Sequence, residues 1–267
     1  MVRSTTATLR TVVVGSGRAG GSFHRALSER GWHTEVVHHA SLGSPEDPLT
    51  GPDGSDVELV LLCVPDSAVA ATSESLRPRA GRLVAHCAGS LGLDVLATHD
   101  SVASVHPLVP LPDATTGAQR LSGAWFAVAG DTRIRRVVDA LEGTPVEVPD
   151  AHRASYHAAA AVASNHLVAL LDEVRRLAAT AGVPLRAYLD LVRATVDNVA
   201  ALGPAAALTG PVAREDWPTV ISHLGSMDPG EHAEYLAGVM SVAALAGVAV
   251  PPEVSAIAGE QRPDGGG

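Results

Sequence analysis

Thr11-Val12-Val13-Val14-Gly15-Ser16-Gly17-Arg18-Ala19-Gly20 is the stretch whose reading decides the fold. A β-branched run ends in G-x-G-x-x-G, and a helical pattern begins directly after it. Each glycine has its own task. Gly15 permits the tight turn from strand to helix, Gly17 lets backbone approach a pyrophosphate, and Gly20 lets the helix lie close to the strand. The free N–H groups and positive dipole end of the helix then face the phosphates. Glycine-rich turns are common, so the spacing alone is weak; the strand before it and the helix after it give it weight. The stretch predicts a dinucleotide site made by Gly15, Ser16, Gly17, Arg18, Ala19 and Gly20, against a plain tight turn as the bland reading.

The α/β pattern continues outward from there. A helix over 18–30 is stopped by Gly31, and a second strand over 33–38 ends His38-His39-Ala40-Ser41. A strand end that holds an NAD ribose carries Asp or Glu. None stands here, and Arg18, His39 and Ser41 could donate to a 2′-phosphate, so NADP is expected over NAD. Residues 41–56, with three Pro and three Gly, predict a loop in place of the second crossover helix. The apolar run 58–64 reads as a buried parallel strand ending Val64-Pro65-Asp66. A helix over 67–76 and strands over 82–86, 102–106, 124–129 and 144–148 complete the layer, with a helix over 131–142. Ligands of such sheets bind outside the carboxyl ends of the strands, which gather Val64, Pro65, Asp66, His86, Ser90 and His106.

Bulk properties bound the function classes. The 267 residues are 46% hydrophobic but only 3% aromatic, so the core must be built from Ala, Val and Leu. The net charge of −10 with scattered basic residues argues against a nucleic-acid surface. No apolar run reaches the length of a membrane span, and no signal peptide is read, so a cytoplasmic protein is expected. Cys63 and Cys87 sit in predicted strands as small hydrophobes. All 19 basic residues are Arg, which excludes a Schiff base, an ammonium general acid and a P-loop lysine. Neither His38/His39 nor His152/His157 has companions at ligand spacing, so no metal site is expected.

From Asp150 the period changes from 2 to 3.6. Asp150 is the expected N-cap of one long Ala-rich helix reaching about 181, followed by helices over 185–201, 217–225 and 229–247 and a frayed tail over 261–267. The organisation expected is an α/β domain over 1–150 and an all-α domain over 151–260. On the long helix His157 and Asn165 lie two steps of four apart on a small-residue face, which suits polarising and protonating a carbonyl or imine; a buried pair at a domain seam is the bland reading. Arg214, in Thr209-Gly210-Pro211-Val212-Ala213-Arg214, is a candidate carboxylate or phosphate anchor. Asp216 reads as a helix cap, and His223 and Asn198 as structural partners.

In order along the chain stand the glycine loop, V-P-D at 64–66, H-C-A-G-S at 86–90, S-V-H-P-L at 104–108, Y-H-A-A-A at 156–160, A-S-N at 163–165 and L-T-G-P-V-A-R at 208–214. Together they resemble the bacterial family of Rossmann-like proteins with a C-terminal helical domain of unknown function. That family lies near the ketopantoate reductases, pyrroline-carboxylate reductases and β-hydroxyacid dehydrogenases. The resemblance covers nearly the whole chain. It implies NADP binding by the first domain, dimerisation through the second, and a cleft lined by His157, Ser164 and Asn165. Two departures stand out. The related enzymes place a lysine near the Asn, where this chain has Ala161, and the family's R-G-D reads Arg214-Glu215-Asp216. The expected activity is NADPH-dependent reduction of a small carbonyl compound, a 2-oxo acid, with His157 as general acid, Asn165 orienting the oxygen and Arg214 anchoring a carboxylate. A cyclic-imine reductase and a non-redox dinucleotide-binding scaffold are the alternatives.

Overall fold

Strands β1 (Thr11–Val14), β3 (Leu59–Leu62) and β4 (Leu83–His86) are buried at every residue. Such continuous burial requires cover on both faces of a parallel sheet. The computed structural model describes residues 8–42, 49 and 57–257, which fall into two units, Met1–Ser164 and Asn165–Gly267.

In the first unit, β2 (Thr34–Val37), β5 (Val102–Pro107), β6 (Trp125–Gly130) and β7 (Thr144–Glu147) extend the sheet to seven strands. Their order is β2-β1-β3-β4-β5-β6-β7. All neighbours are parallel except β5 and β6. This is the mostly parallel Rossmann-type sheet expected. Alternation divides its side chains between two cores. Val13, Leu61, Ala85, Val105 and Val128 meet α1 (Arg18–Ser28), α3 (Ala114–Leu121) and α4 (Arg135–Ala140) through Phe23, Leu121 and Val137. Val12, Val14, Val60, Leu62 and Val84 meet α2 (Val69–Ser75) through Val69. The expected loop over 41–56 and the expected tail over 261–267 lie almost wholly outside the described residues.

Two local expectations are corrected. Helix α3 has no counterpart in the sequence reading; Asp113 starts it, its Oδ1 accepting the Thr115 and Thr116 N–H groups at 2.8 and 2.9 Å. The single long helix after Asp150 is also interrupted. A 3₁₀ turn over Asp150–His152 leads into α5 (Arg153–Ala161), a π-helical turn follows at Val162–His166, and α6 (Leu167–Thr180) continues. Asp150 is not a helix cap: its Oδ2 accepts the Leu93 N–H at 2.9 Å.

The second unit is helical. After α6 come α7 (Leu185–Leu202), the single turn α8 (Pro204–Ala207), α9 (Trp217–Ser226), α10 (His232–Ala246) and α11 (Pro252–Ala256). Val212, Val220, Leu224, Leu236, Val239, Ala243 and Val254 make its core. Asp216 caps α9 as expected, accepting the Thr219 N–H at 3.3 Å. Arg176 of α6 forks onto Glu231 at 2.8 and 3.0 Å. The partner of His223 is the Tyr235 hydroxyl, 2.6 Å from its Nδ1.

Candidate functional site

The turn after β1 separates the three glycines by what surrounds them. Gly15 sits at φ +110°, and a Cβ there would lie 2.5 Å from the Cys63 carbonyl oxygen. A Cβ on Gly20 would lie 1.8 Å from the Gly15 carbonyl oxygen, so α1 owes its closeness to the turn to that missing side chain. Around Gly17, the N-cap of α1, nothing lies within 4 Å of a Cβ position. Two glycines are therefore demanded by the fold, and the middle one leaves open space at a helix N-terminus. No side chain caps that end and no acid occupies its first turn, so its N–H groups are left for another acceptor. Ser16, Gly17 and Arg18 are exposed, Ala19 half-buried.

At the end of β2, His39–Ser41 form a 3₁₀ turn in which the His38 Nδ1 accepts the Ala40 N–H. The rings of His38 and His39 lie 4.3 Å apart. Residues 38–42 carry no carboxylate, and His39 and Ser41 are exposed. Past β3, Val64 is half-buried and Pro65 and Asp66 are exposed. The Ser90 hydroxyl donates to Asp66 Oδ2 at 2.7 Å, tying the loop after β4 to the loop after β3.

A polar column interrupts the second core. On that face of the sheet Val84 is followed by His86, and Val102 by Ser104 and His106, with His86 and Ser104 register partners. Helix α5 carries Arg153, Tyr156 and His157 at i, i+3 and i+4, the spacing that puts three side chains on one helix face. The Arg153 Nη2 donates to the Ser104 hydroxyl. The Tyr156 hydroxyl lies 2.6 Å from His106 Nδ1. The His106 and His157 rings meet edge to face at 5.9 Å. Gly89 makes this possible: a Cβ there would lie 2.5 Å from His157 Nδ1 and 2.9 Å from His106 Nε2.

Electrostatics disfavour charge on the His86 and His106 rings. Burial, then the neighbouring His157 and Arg153, lower His106 to about 4. Burial also lowers His86. Arg153 is 2% exposed, and its Nε and Nη1 are without hydrogen-bond partners. The same burial raises the Tyr156 phenol, against the opposing pull of Arg153. A fixed buried cation beside His86 and His106 disfavours positive charge on either ring.

The expected residues are sorted accordingly. His157 meets His106 in the first unit. The side chain of His86 is fully buried and its Nε2–H donates to the Gly92 carbonyl at 3.1 Å. The ring thereby holds the loop that follows β4. Asn165 and Arg214 belong to the second unit, Asn165 in the π turn and Arg214 exposed at the end of the Val212–Arg214 turn. The π turn also removes the ideal register that linked His157 to Asn165. Arg153, Tyr156, Ser104 and Gly89 were not singled out by sequence; the i, i+3, i+4 spacing of Arg153, Tyr156 and His157 was the available signal. No group of three or more potential metal ligands occurs among the described residues, and no helix among them is long and apolar enough to cross a membrane.

Comparison with known proteins agrees with this architecture. The model of the domain of unknown function DUF2520 matches residues 125–240. A Bacteroides fragilis protein provisionally described as an NADP oxidoreductase shares the fold at a TM-score of 0.70 and 18% identity, over 90% of this chain and 100% of its own. A Thermotoga maritima protein does so at 0.67 and 21%, over 89% and 98%. The 1-pyrroline-5-carboxylate reductase of Streptococcus pyogenes follows at 0.58 and 15%, over 90% and 98%. No curated protein matches the sequence. The chain thus shares with these proteins a Rossmann-type fold followed by a helical C-terminal part.

Proposed function

We propose that this protein is an NADPH-dependent reductase of a small carbonyl compound, with 2-oxo acids as its substrate class. The observation that carries this reading is the glycine turn: Gly15 and Gly20 are sterically obligatory, while Gly17 leaves open space at an uncapped helix N-terminus. A dinucleotide pyrophosphate fits that chemistry. Gly15, Ser16, Gly17, Arg18, Ala19 and Gly20 would hold it, with Arg18, His39 and Ser41 toward a 2′-phosphate and Val64, Pro65 and Asp66 along the strand ends. The bound dinucleotide supplies a hydride. The chain supplies the proton, and in a lysine-free protein His157 is the general acid; Asn165 orients the carbonyl oxygen and Arg214 receives the carboxylate. Likeness in fold to an NADP oxidoreductase and to a reductase supports the class.

The reading extends to a homodimer joined through the helical unit, whose Val168, Leu170, Leu191, Val196 and Leu202 are more than half exposed. Cyclic imines are the second substrate class. The fold likeness to a pyrroline-carboxylate reductase favours them, and a protonated imine needs less help from an acid.

The test is fluorescence titration with NADPH and NADH, followed by NADPH consumption on 2-oxo acids and cyclic imines. Tighter NADPH than NADH binding, loss of both in Gly17→Val, and consumption on 2-oxo acids are expected. Tighter NADH binding would sink the 2′-phosphate argument, and consumption on imines alone would transfer the assignment to the second class.

A further inference from the structure

Cys63 and Cys87 are the two cysteines of the chain, and the sheet brings them side by side. On the parallel pair β3 and β4, Leu61 partners Ala85 and Leu62 partners His86. The ladder runs one step further, because the Cys87 N–H donates to the Leu62 carbonyl at 3.2 Å. That step sets Cys63 opposite Cys87. Alternation puts both on the face of Leu61 and Ala85, and both pack with that first core. Neighbouring strands lie about 4.7–4.9 Å apart, inside the span of about 4.4–6.8 Å that a disulfide bridges between Cα atoms. The Cys87 thiol hydrogen-bonds the Cys63 thiol and, with burial, holds it well above its ordinary range. Both are free thiols, Cys63 buried and Cys87 half-buried, so an oxidant meets Cys87 first.

Cys63 is also the floor of the glycine turn. Its carbonyl oxygen lies 2.5 Å from where a Gly15 Cβ would stand, and its own Cβ lies 3.2 Å from where a Gly20 Cβ would stand. A change at Cys63 therefore reaches the turn and the start of α1 without passing through any other residue.

We propose that Cys63 and Cys87 form a reversible disulfide under peroxide, and that the closed pair weakens the hold of the glycine turn on a dinucleotide. The second half rests on the proposed cofactor; the first does not. The Cys87 sulfur attacks one peroxide oxygen, the O–O bond breaks, and the departing hydroxide takes the thiol proton and leaves as water. Cys87 is then a sulfenic acid, its sulfur oxidised and the peroxide reduced. The Cys63 sulfur attacks the Cys87 sulfur, the S–O bond breaks, and hydroxide takes the Cys63 proton to leave as a second water. Two thiols and one peroxide thus become a disulfide and two waters. Burial shields Cys63 from the oxidant but not from its neighbour, which suits it to resolve the sulfenic acid rather than to meet the peroxide. Closing the bond draws the Cys63 Cβ toward β4 and away from Gly20, where α1 packs against the turn. A small external thiol reverses the exchange.

The experiment treats the purified full chain with hydrogen peroxide, maps its peptides by mass spectrometry without reductant, and titrates the reduced and oxidised forms with NADPH. A Cys63–Cys87 cross-link within one chain, lost on adding dithiothreitol, is expected. The oxidised form should bind NADPH about tenfold more weakly, within the usual span of coupling between two sites, and dithiothreitol should restore the affinity. In Cys87→Ser, a change at the more open position, peroxide should leave NADPH affinity unaltered. Sulfinic or sulfonic acid on Cys87 with Cys63 still a thiol, or cross-links only between chains, would overturn the disulfide. A cross-linked protein that binds NADPH as the reduced one does would overturn its coupling to the turn. If the reduced protein itself binds no NADPH, the cofactor reading fails, and the peptide map alone then upholds or overturns the pair.

Discussion

At the scale of residues, the imidazole cluster of the first unit sets a stability dependence on acid. His106 titrates at about 4 in the fold, against an ordinary 6.5. Between those values the unfolded chain binds more protons than the folded one. The stabilising contribution is therefore complete above about pH 6.5 and is lost as the pH falls toward 4, on the order of 3 kcal/mol in all. His86 is lowered in the same sense and adds to the slope. Melting temperature measured at about pH 7 and about pH 5 should fall in the wild type and fall less in His106→Gln; equal falls in the two would contradict the account. The cluster also shows what a sequence hides. His157 was legible because it stands among alanines in a motif. Arg153 and Tyr156 were not, because their partners Ser104 and His106 lie some fifty positions earlier on β5, and a single sequence does not register strand against helix.

At the scale of elements, the glycine turn was legible because its constraints are local backbone geometry. Gly20→Ala tests this directly. Its Cβ would meet backbone rather than a flexible side chain, so α1 must move off the turn. A large drop in melting temperature is expected, whereas Gly17→Val should melt like the wild type while losing the dinucleotide. An undisturbed Gly20→Ala would show that α1 does not depend on that close approach. Helix α3 escaped the reading although Asp113 gave a cap signal, because Gly117 and the prolines at 110 and 112 masked its periodicity. The π turn escaped for the opposite reason. Val162–His166 contains no Gly or Pro, and a one-residue widening of a helix leaves no compositional mark. Asp150 looked like a cap by type and position, yet its carboxylate serves the Leu93 N–H. A local rule there yields to a partner 57 residues away.

At the scale of the whole molecule, the two units differ in how well they bury themselves. The central strands β1, β3 and β4 of the first are closed off on both faces, while α6 and α7 of the second contribute only Ala178 to the buried set. Apolar residues left outside in that number suit a second copy of the chain. Light scattering at micromolar concentration should report a dimer, and a monomer would refute the pairing. The central claim is hydride chemistry on a small carbonyl, and one measurement reaches it without inference from binding or from rate. The protein is given NADPH bearing deuterium at the nicotinamide C4, on each face in turn, together with the 2-oxo acid it consumes fastest, and the 2-hydroxy acid formed is analysed by mass spectrometry. The account predicts deuterium on C2 of the product from one face only, and a rate of its appearance lowered in His157→Ala by about a hundredfold to ten-thousandfold while NADPH affinity holds. Bound NADPH with no deuterium transferred to any 2-oxo acid or cyclic imine would contradict it and leave a dinucleotide-binding scaffold.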